Sequence, residues 1–235
     1  MIAIGFKKRF LTTFGIIIGG ALLFNLGQVK AQTHYNSNVS VGVKAGMDLS
    51  RVNFTPGVKQ SFLPGANAGF TIRYIEENHF GLIGEINFEQ RGWKENFEEA
   101  PFKYSRTLNY IQIPFLAHIY FGRRARFFFN AGPEIGFMIG ESTSSNFDYK
   151  NVGAVSGFPN RTTYQYLINA DPKVDYGISA GLGGEFNVNR THSVYLEGRF
   201  YYGLGNVLKS GRTERFRGSN SMSIMISAGY WFRIK

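Results

Sequence analysis

From residue 39 to the C-terminus the chain alternates apolar and polar side chains, the period of a strand with two unlike faces. Val39, Val41, Val43, Ala45, Met47 and Leu49 share one face, and Ser40, Gly42, Lys44, Gly46 and Asp48 the other. Ala68, Phe70, Ile72 and Tyr74 oppose Asn67, Gly69, Thr71 and Arg73, and Phe80, Leu82, Ile86 and Phe88 oppose Glu85, Asn87 and Glu89. In 108–121 the apolar side chains from Ile111 to Phe121 face a mixed set, Tyr110, Gln112, Pro114, Leu116 and His118. The second half is cleaner. Phe127, Phe129, Ile135 and Phe137 oppose Asn130 and Glu134, and Tyr176, Ile178, Ala180, Leu182 and Phe186 oppose Asp175, Ser179, Gly181 and Glu185. Val194, Leu196, Phe200 and Tyr202 oppose Ser193, Glu197 and Arg199, and Ile224, Ile226, Ala228, Tyr230 and Phe232 oppose Ser223, Ser227 and Gly229. The pattern predicts eight strands of roughly ten residues, the length that crosses a bilayer at a tilt. Their connections alternate too. Residues 76–78, 122–125 and 189–192 read as tight turns, whereas 50–66, 93–106, 141–174 and 205–220 are long and polar. An even strand number with short turns at one end and long loops at the other predicts an all-β, up-and-down, eight-stranded antiparallel transmembrane β-barrel with both termini on the short-turn, periplasmic side.

A soluble lipocalin-type barrel would turn the apolar faces inward. The polar faces argue for the opposite sense. They are rich in Gly, Ser and Asn, and their charges come in both signs: Lys44, Asp48, Arg73, Glu85, Glu89, Glu134, Glu185, Glu197 and Arg199. Inside a narrow ring these groups can pair across the lumen, while the nearly uninterrupted Phe, Ile, Leu and Val faces suit lipid. Closure then gives every backbone group in hydrocarbon a partner. Pro114 and Pro133 each remove one ladder donor and are expected at bulges or near the rim.

The first 31 residues are set apart. Lys7, Lys8 and Arg9 precede an apolar run at 10–26, and Val29 and Ala31 flank a cut after Ala31, the pattern of a cleaved secretory signal. The run is nearly long enough for the competing reading, an uncleaved transmembrane helix. Removing 31 of 235 residues leaves 32–235 as one barrel domain of 204 residues. The leader holds four bases and no acid, so the net charge falls from +10 to +6. That mild excess suits anionic lipid head groups better than nucleic acid. The chain has no cysteine, which excludes disulfides, thiolate metal sites and cysteine catalysis.

Several segments resemble the PorT-type outer-membrane β-barrel family of Bacteroidota. Tyr110-Ile111-Gln112-Ile113-Pro114-Phe115-Leu116 is similar to that family's Y-L-x-I-P-L-L segment, and Asn130-Ala131-Gly132-Pro133-Glu134 to its A-G-P strand. Asp175-Tyr176-Gly177 with Gly181-Leu182-Gly183-Gly184-Glu185 resembles D-x-G…G-x-G-x-E. The run from Glu197 to Asn206 resembles E-x-R-Y-x-x-G-L-x-N with Phe200 in place of Tyr, and Gly229-Tyr230-Trp231-Phe232 resembles the family's closing residues, here followed by three more. The resemblance spans essentially all of 32–235. It implies a barrel in the outer membrane and a link to protein secretion.

Candidate chemistry is sparse. His34, His79, His118 and His192 have no nearby Ser and acid in a triad pattern. Glu85 and Glu89, and Glu197 with Arg199, read as lumen charges rather than a catalytic carboxyl pair. Asp148, Asp171 and Asp175 fit no calcium-loop spacing, and Gly181-x-Gly183-Gly184 has no following helix to make a phosphate loop. No catalytic residue, metal or cofactor is expected. Glu95, Glu98, Glu99, Lys103 and Arg106 read as solvated surface. The loop 141–174 carries Phe147, Tyr149, Phe158, Tyr164 and Tyr166, suited either to binding a partner or to folding over the mouth as a lid. The expected role is a non-enzymatic outer-membrane component that contacts membrane lipid and, through its loops, envelope or secretion-complex proteins. A small porin-like channel and a lipid- or peptide-modifying barrel enzyme are the alternatives; eight strands enclose too little space for a water-filled pore.

Overall fold

A computed structural model describes residues 37–97, 101–170, 173–208 and 216–234, which fall in one compact unit spanning Ser37–Lys235. The expected leader lies outside the described residues. Eight long strands form the ring: β1 (Asn38–Thr55), β2 (Leu63–Glu77), β3 (Phe80–Glu95), β4 (Tyr104–Gly122), β5 (Ala125–Ser145), β6 (Val174–Asn187), β7 (His192–Asn206) and β8 (Gly218–Arg233). Each pairs antiparallel with its neighbours in sequence, and β1 pairs with β8 from Ser40↔Arg233 to Thr55↔Gly218, closing the sheet on itself. A two-residue strand, Gln60–Ser61, adds to the far end of β3. Among the described residues no helix is long and apolar enough to cross a membrane.

The period-two pattern decides which way the sheet faces. Along β6 the side chains of Tyr176, Ile178, Ala180 and Leu182 are exposed, and those of Asp175, Ser179 and Glu185 are buried. Phe127, Phe70 and Leu182 are the most exposed large apolar side chains, at 77, 73 and 71%. Such a surface is unfavourable in water and favourable in hydrocarbon.

The strands run to 14–21 residues, longer than the roughly ten expected. The surplus lies at the long-loop end, where the outer face turns polar but the inner face stays buried, as at Val52 and Phe54 on β1. The loops expected at 50–66, 93–106, 141–174 and 205–220 are therefore partly strand. The turns at the other end are short, with Gly122 (φ 106°) in the β4–β5 turn and His79 (φ 73°) in the β2–β3 turn. Pro114 and Pro133 lie neither at the rim nor at a bulge. They sit mid-strand beside exposed Ile113, Phe115 and Ile135. Around them paired positions drop out, between Gly84↔Phe115 and Asn87↔Gln112 and again between Pro114↔Glu134 and Ala117↔Ala131, without a change of register. A missing N–H removes a ladder bond without shifting the strand. The register shift in this pair falls elsewhere, at Asn109/Tyr110.

Candidate functional site: the barrel interior and its cap

All nine charged residues assigned to the lumen from their parity are buried inside the ring: Lys44, Asp48, Arg73, Glu85, Glu89, Glu134, Glu185, Glu197 and Arg199. The central knot joins four strands. Arg199 on β7 grips Glu85 on β3 with two hydrogen bonds of 2.8 Å and also reaches its strand-mate Glu197 at 2.9 Å. Lys44 on β1 donates to Glu85 at 2.6 Å, and Asn87 to the same oxygen at 2.8 Å. Asn130 on β5 donates to Glu197 at 2.8 Å. Its amide oxygen therefore faces His118, whose Nδ1–H donates at 2.7 Å; the tautomer follows from the network. Towards the short turns Arg73 holds Glu185 through two bonds of 2.7 and 3.0 Å, Ser193 adds a third at 2.6 Å, and the guanidinium lies over the Trp231 ring.

Towards the long loops a second knot escaped the sequence reading. Arg91 lies between the rings of Tyr110 and Tyr201, 4.6 and 4.3 Å from their centroids, and pairs with Asp175 at 3.1 Å. Tyr201 donates to the same carboxylate at 2.9 Å. The signal was available, because Arg91 continues the parity of Glu85, Asn87 and Glu89. The same parity buries Glu95, which was expected in a solvated surface, and Arg106 is buried with it. Lys103 is exposed, while Glu98 and Glu99 lie outside the described residues.

Among the described residues eight acids and five bases are buried. The imbalance shows as three carboxyl groups, Asp48, Glu89 and Glu134, whose oxygens make no hydrogen bond, beside Gln112 with an equally unpartnered amide.

The interior is not only small and charged. Two apolar clusters close the polar layer from either side. Ile75, Ile83, Leu116, Tyr120, Phe128, Tyr195 and Trp231 fill the short-turn end. Val52, Phe54, Trp93, Tyr104, Leu108, Tyr166, Leu208 and Phe216 fill the other. Large side chains in the ring require glycine opposite. A Cβ on Gly229 would stand 2.2 Å from the Tyr195 ring, and one on Gly183 2.4 Å from Phe128.

Residues 146–170 fold over the long-loop end. Phe147 and Phe158 are half-buried and pack with Phe97 and Phe102 at centroid distances of 5.2–6.0 Å. Tyr149 packs on Tyr104, and Tyr166 is buried against Tyr104 at 4.4 Å; Tyr164 is exposed. The segment is tied to β3 through Glu95, which accepts from Gln165 at 2.7 Å and from Tyr166 at 2.8 Å and lies 3.3 Å from Arg161. Arg106 adds a bond to the Ile168 carbonyl at 2.7 Å and an ion pair with Glu141 at 2.8 Å. Glu95 stands seven residues beyond Phe88, the last exposed apolar residue of β3, and so outside the hydrocarbon layer. Burial pushes its carboxyl above the ordinary carboxylate value, and burial next to Glu95 raises the Tyr166 phenol. Among the described residues no group of three His, Asp or Glu is placed to hold a metal ion.

The described ring is similar to solved outer-membrane barrels. OprG from Pseudomonas aeruginosa aligns over 84% of this chain and 95% of its own, with 8% identity and a TM-score of 0.51. Neisserial surface protein A aligns over 84 and 99%, with 11% identity and a TM-score of 0.44. Ail, the attachment invasion locus protein of Yersinia pestis, aligns over 82 and 98%, with 16% identity and a TM-score of 0.40. At such identities the likeness concerns the fold alone. No curated protein sequence matches the chain. A family model described as an outer membrane protein beta-barrel domain matches residues 27–209, and the chain belongs to that family of outer-membrane barrels.

Proposed function

We propose that this outer-membrane barrel is a closed, non-enzymatic scaffold that presents its capped end outside the cell, serving as an envelope or protein-secretion accessory component. The carrying observation is what occupies the lumen. Two apolar clusters bracket the buried ion-pair knots, and the loop segment is fastened across one mouth. An interior of this kind favours rigidity over passage. The PorT-type segments support a secretion link. The short turns and both termini then lie in the periplasm, following cleavage of the leader after Ala31.

The capped end is basic. Among the described residues Arg51, Lys59, Lys94, Lys103, Lys150, Lys173 and Arg217 are exposed there, against Glu141 and Asp148. This charge suits anionic membrane lipid or an acidic protein partner, with Tyr164 exposed on the cap as an aromatic contact. Two experiments test the reading. Single-channel recording in planar bilayers should show no regular conductance; stable steps would favour the competing view, a small passive channel. Crosslinking in native envelopes through positions in 146–170 should capture a defined protein, and loss of that adduct on deleting the segment is expected. An adduct pattern indifferent to the deletion would rule out partner binding through this loop.

A further inference from the structure

The outward face of β1 runs Val41, Val43, Ala45, Met47 and Leu49 and then reaches Arg51, about 7 Å beyond Leu49 along the strand. Arg51 is exposed but lies against the wall. Its guanidinium carbon is 5.4 Å from the centroid of the Phe62 ring, just before β2, and its Nη2 is 4.0 Å from the sulfur of Met222 on β8. Both neighbours are apolar, and among the described residues no acid pairs with Arg51 and no oxygen accepts from it. Lys94 reaches the same part of the wall from β3. It is exposed, pairs in register with Ser61, the residue before Phe62, and forms no ion pair among the described residues. Towards the membrane centre β2 turns only small side chains outward, Pro64, Ala66 and Ala68, until Phe70. Leu49 and Met47 on β1 stand beside Pro64 and Ala66, and Phe88 on β3 stands beside Ala68. A low apolar strip therefore leads away from the two cations between taller side chains.

A guanidinium binds phosphate through paired N–H groups and stacks on aromatic faces. Arg51, set against Phe62 with its donors unmet by the protein, is matched to such a group. Lys94 adds a second positive charge, and no described acid lies on the outward face of β8, β1, β2 or β3 at this end. Charge complementarity therefore selects an anion. Its place at the edge of the apolar band, above a strip open to hydrocarbon, selects an amphiphile over a free ion. We propose that this wall binds a phosphate-bearing anionic lipid of the surrounding leaflet, its phosphate held by Arg51 and Lys94 and its chains laid along Pro64, Ala66 and Ala68. The leaflet concerned rests on the orientation proposed above, which makes it the outer one.

The test uses the whole barrel refolded in phosphatidylcholine vesicles that carry a minor fraction of chain-brominated phosphatidylglycerol or, for comparison, chain-brominated phosphatidylcholine. Met47→Trp places a fluorophore four residues below Arg51 on the same face, and Ile178→Trp places one on β6, both at exposed positions. Trp93 and Trp231 face inward and give a common background. Brominated phosphatidylglycerol should quench the Met47→Trp reporter more than brominated phosphatidylcholine does, with a local enrichment of about fivefold for each basic side chain. The Ile178→Trp reporter should show no such excess. Adding Arg51→Gln should remove most of the excess and Lys94→Gln part of it. Both side chains are exposed and neither change should prevent insertion, so each variant tests the site on its own. Equal quenching by the two lipids, an equal excess at both reporters, or an excess that survives Arg51→Gln combined with Lys94→Gln would overturn the proposal. Quenching in vesicles does not depend on which end faces outward, and protease digestion of the cap on intact cells checks that orientation separately.

Discussion

Replacing Arg199 by Leu removes the group that ties β7 to Glu85 on β3 at the centre of the barrel. Five hydrogen bonds disappear, two to Glu85 and three to Glu197. Glu85 keeps Lys44 and Asn87, so most of the loss falls on Glu197, which retains only the Asn130 amide. Breaking a buried pair by deleting one partner costs about 3–5 kcal/mol because the remaining charge is left uncompensated. The surviving Lys44 places this case near the lower end, about 3 kcal/mol. Arg199→Leu combined with Glu197→Gln removes the stranded charge as well, and the double variant should recover a sizeable part of the loss through coupling of order 1–3 kcal/mol. The assay is urea unfolding of the barrel refolded in phospholipid vesicles, followed by fluorescence of Trp93 and Trp231, both on inward positions. A loss below about 1 kcal/mol for Arg199→Leu, or strict additivity in the double variant, would refute the view that the knot is a desolvated, interdependent unit.

Two further outcomes follow from the same geometry. Gly229→Ala should cost about 1–3 kcal/mol by overpacking and change Trp231 emission, because the added methyl meets the Tyr195 ring that stacks on Trp231; unchanged stability and emission would mean the ring moves freely. The cap should tighten as pH falls: Glu95 has a higher pKa in the closed cap than when released, so the closed form binds more protons and loses stability as pH rises from the ordinary carboxylate value towards the raised one. Proteolysis within 146–170 should accordingly slow on acidification, Glu95→Gln should flatten that dependence, and Glu95→Ala should speed cleavage roughly tenfold or more by leaving the Tyr166 hydroxyl unpartnered and Gln165 with only its bond to the Thr162 carbonyl; pH-independent cleavage of the unmodified protein contradicts this.

The strand number, the inward and outward faces and the nine lumen charges were legible because a closed sheet forces strict alternation on every strand. Strand ends were not. Outside the apolar layer the outward residues become polar, so alternation of contrast fades although the backbone ladder continues. That is why Glu95 and Arg106 read as surface when parity with Glu89 and Leu108 already placed them inside. The aromatic clusters were missed for another reason. Phe128, Tyr195 and Tyr201 on inward faces look like noise in a polar pattern, whereas Gly183, Gly229 and Gly177 leave the room these rings need. Across the mouth, contacts such as Tyr166 with Glu95 link residues 71 positions apart and depend on loop geometry that no local pattern encodes.

The central claim is that the apolar faces meet hydrocarbon and the polar faces close on one another. Since the chain has no cysteine, single cysteines can be placed at 178 through 182 on β6, labelled with a fluorophore and tested against a lipid-phase and a water-phase quencher in vesicles. Labels at 178, 180 and 182 are expected to be quenched from the lipid phase, and those at 179 and 181 from neither phase or to block folding. Quenching that ignores this alternation, or lipid-phase quenching at 179 and 181, would contradict the barrel's orientation in the membrane.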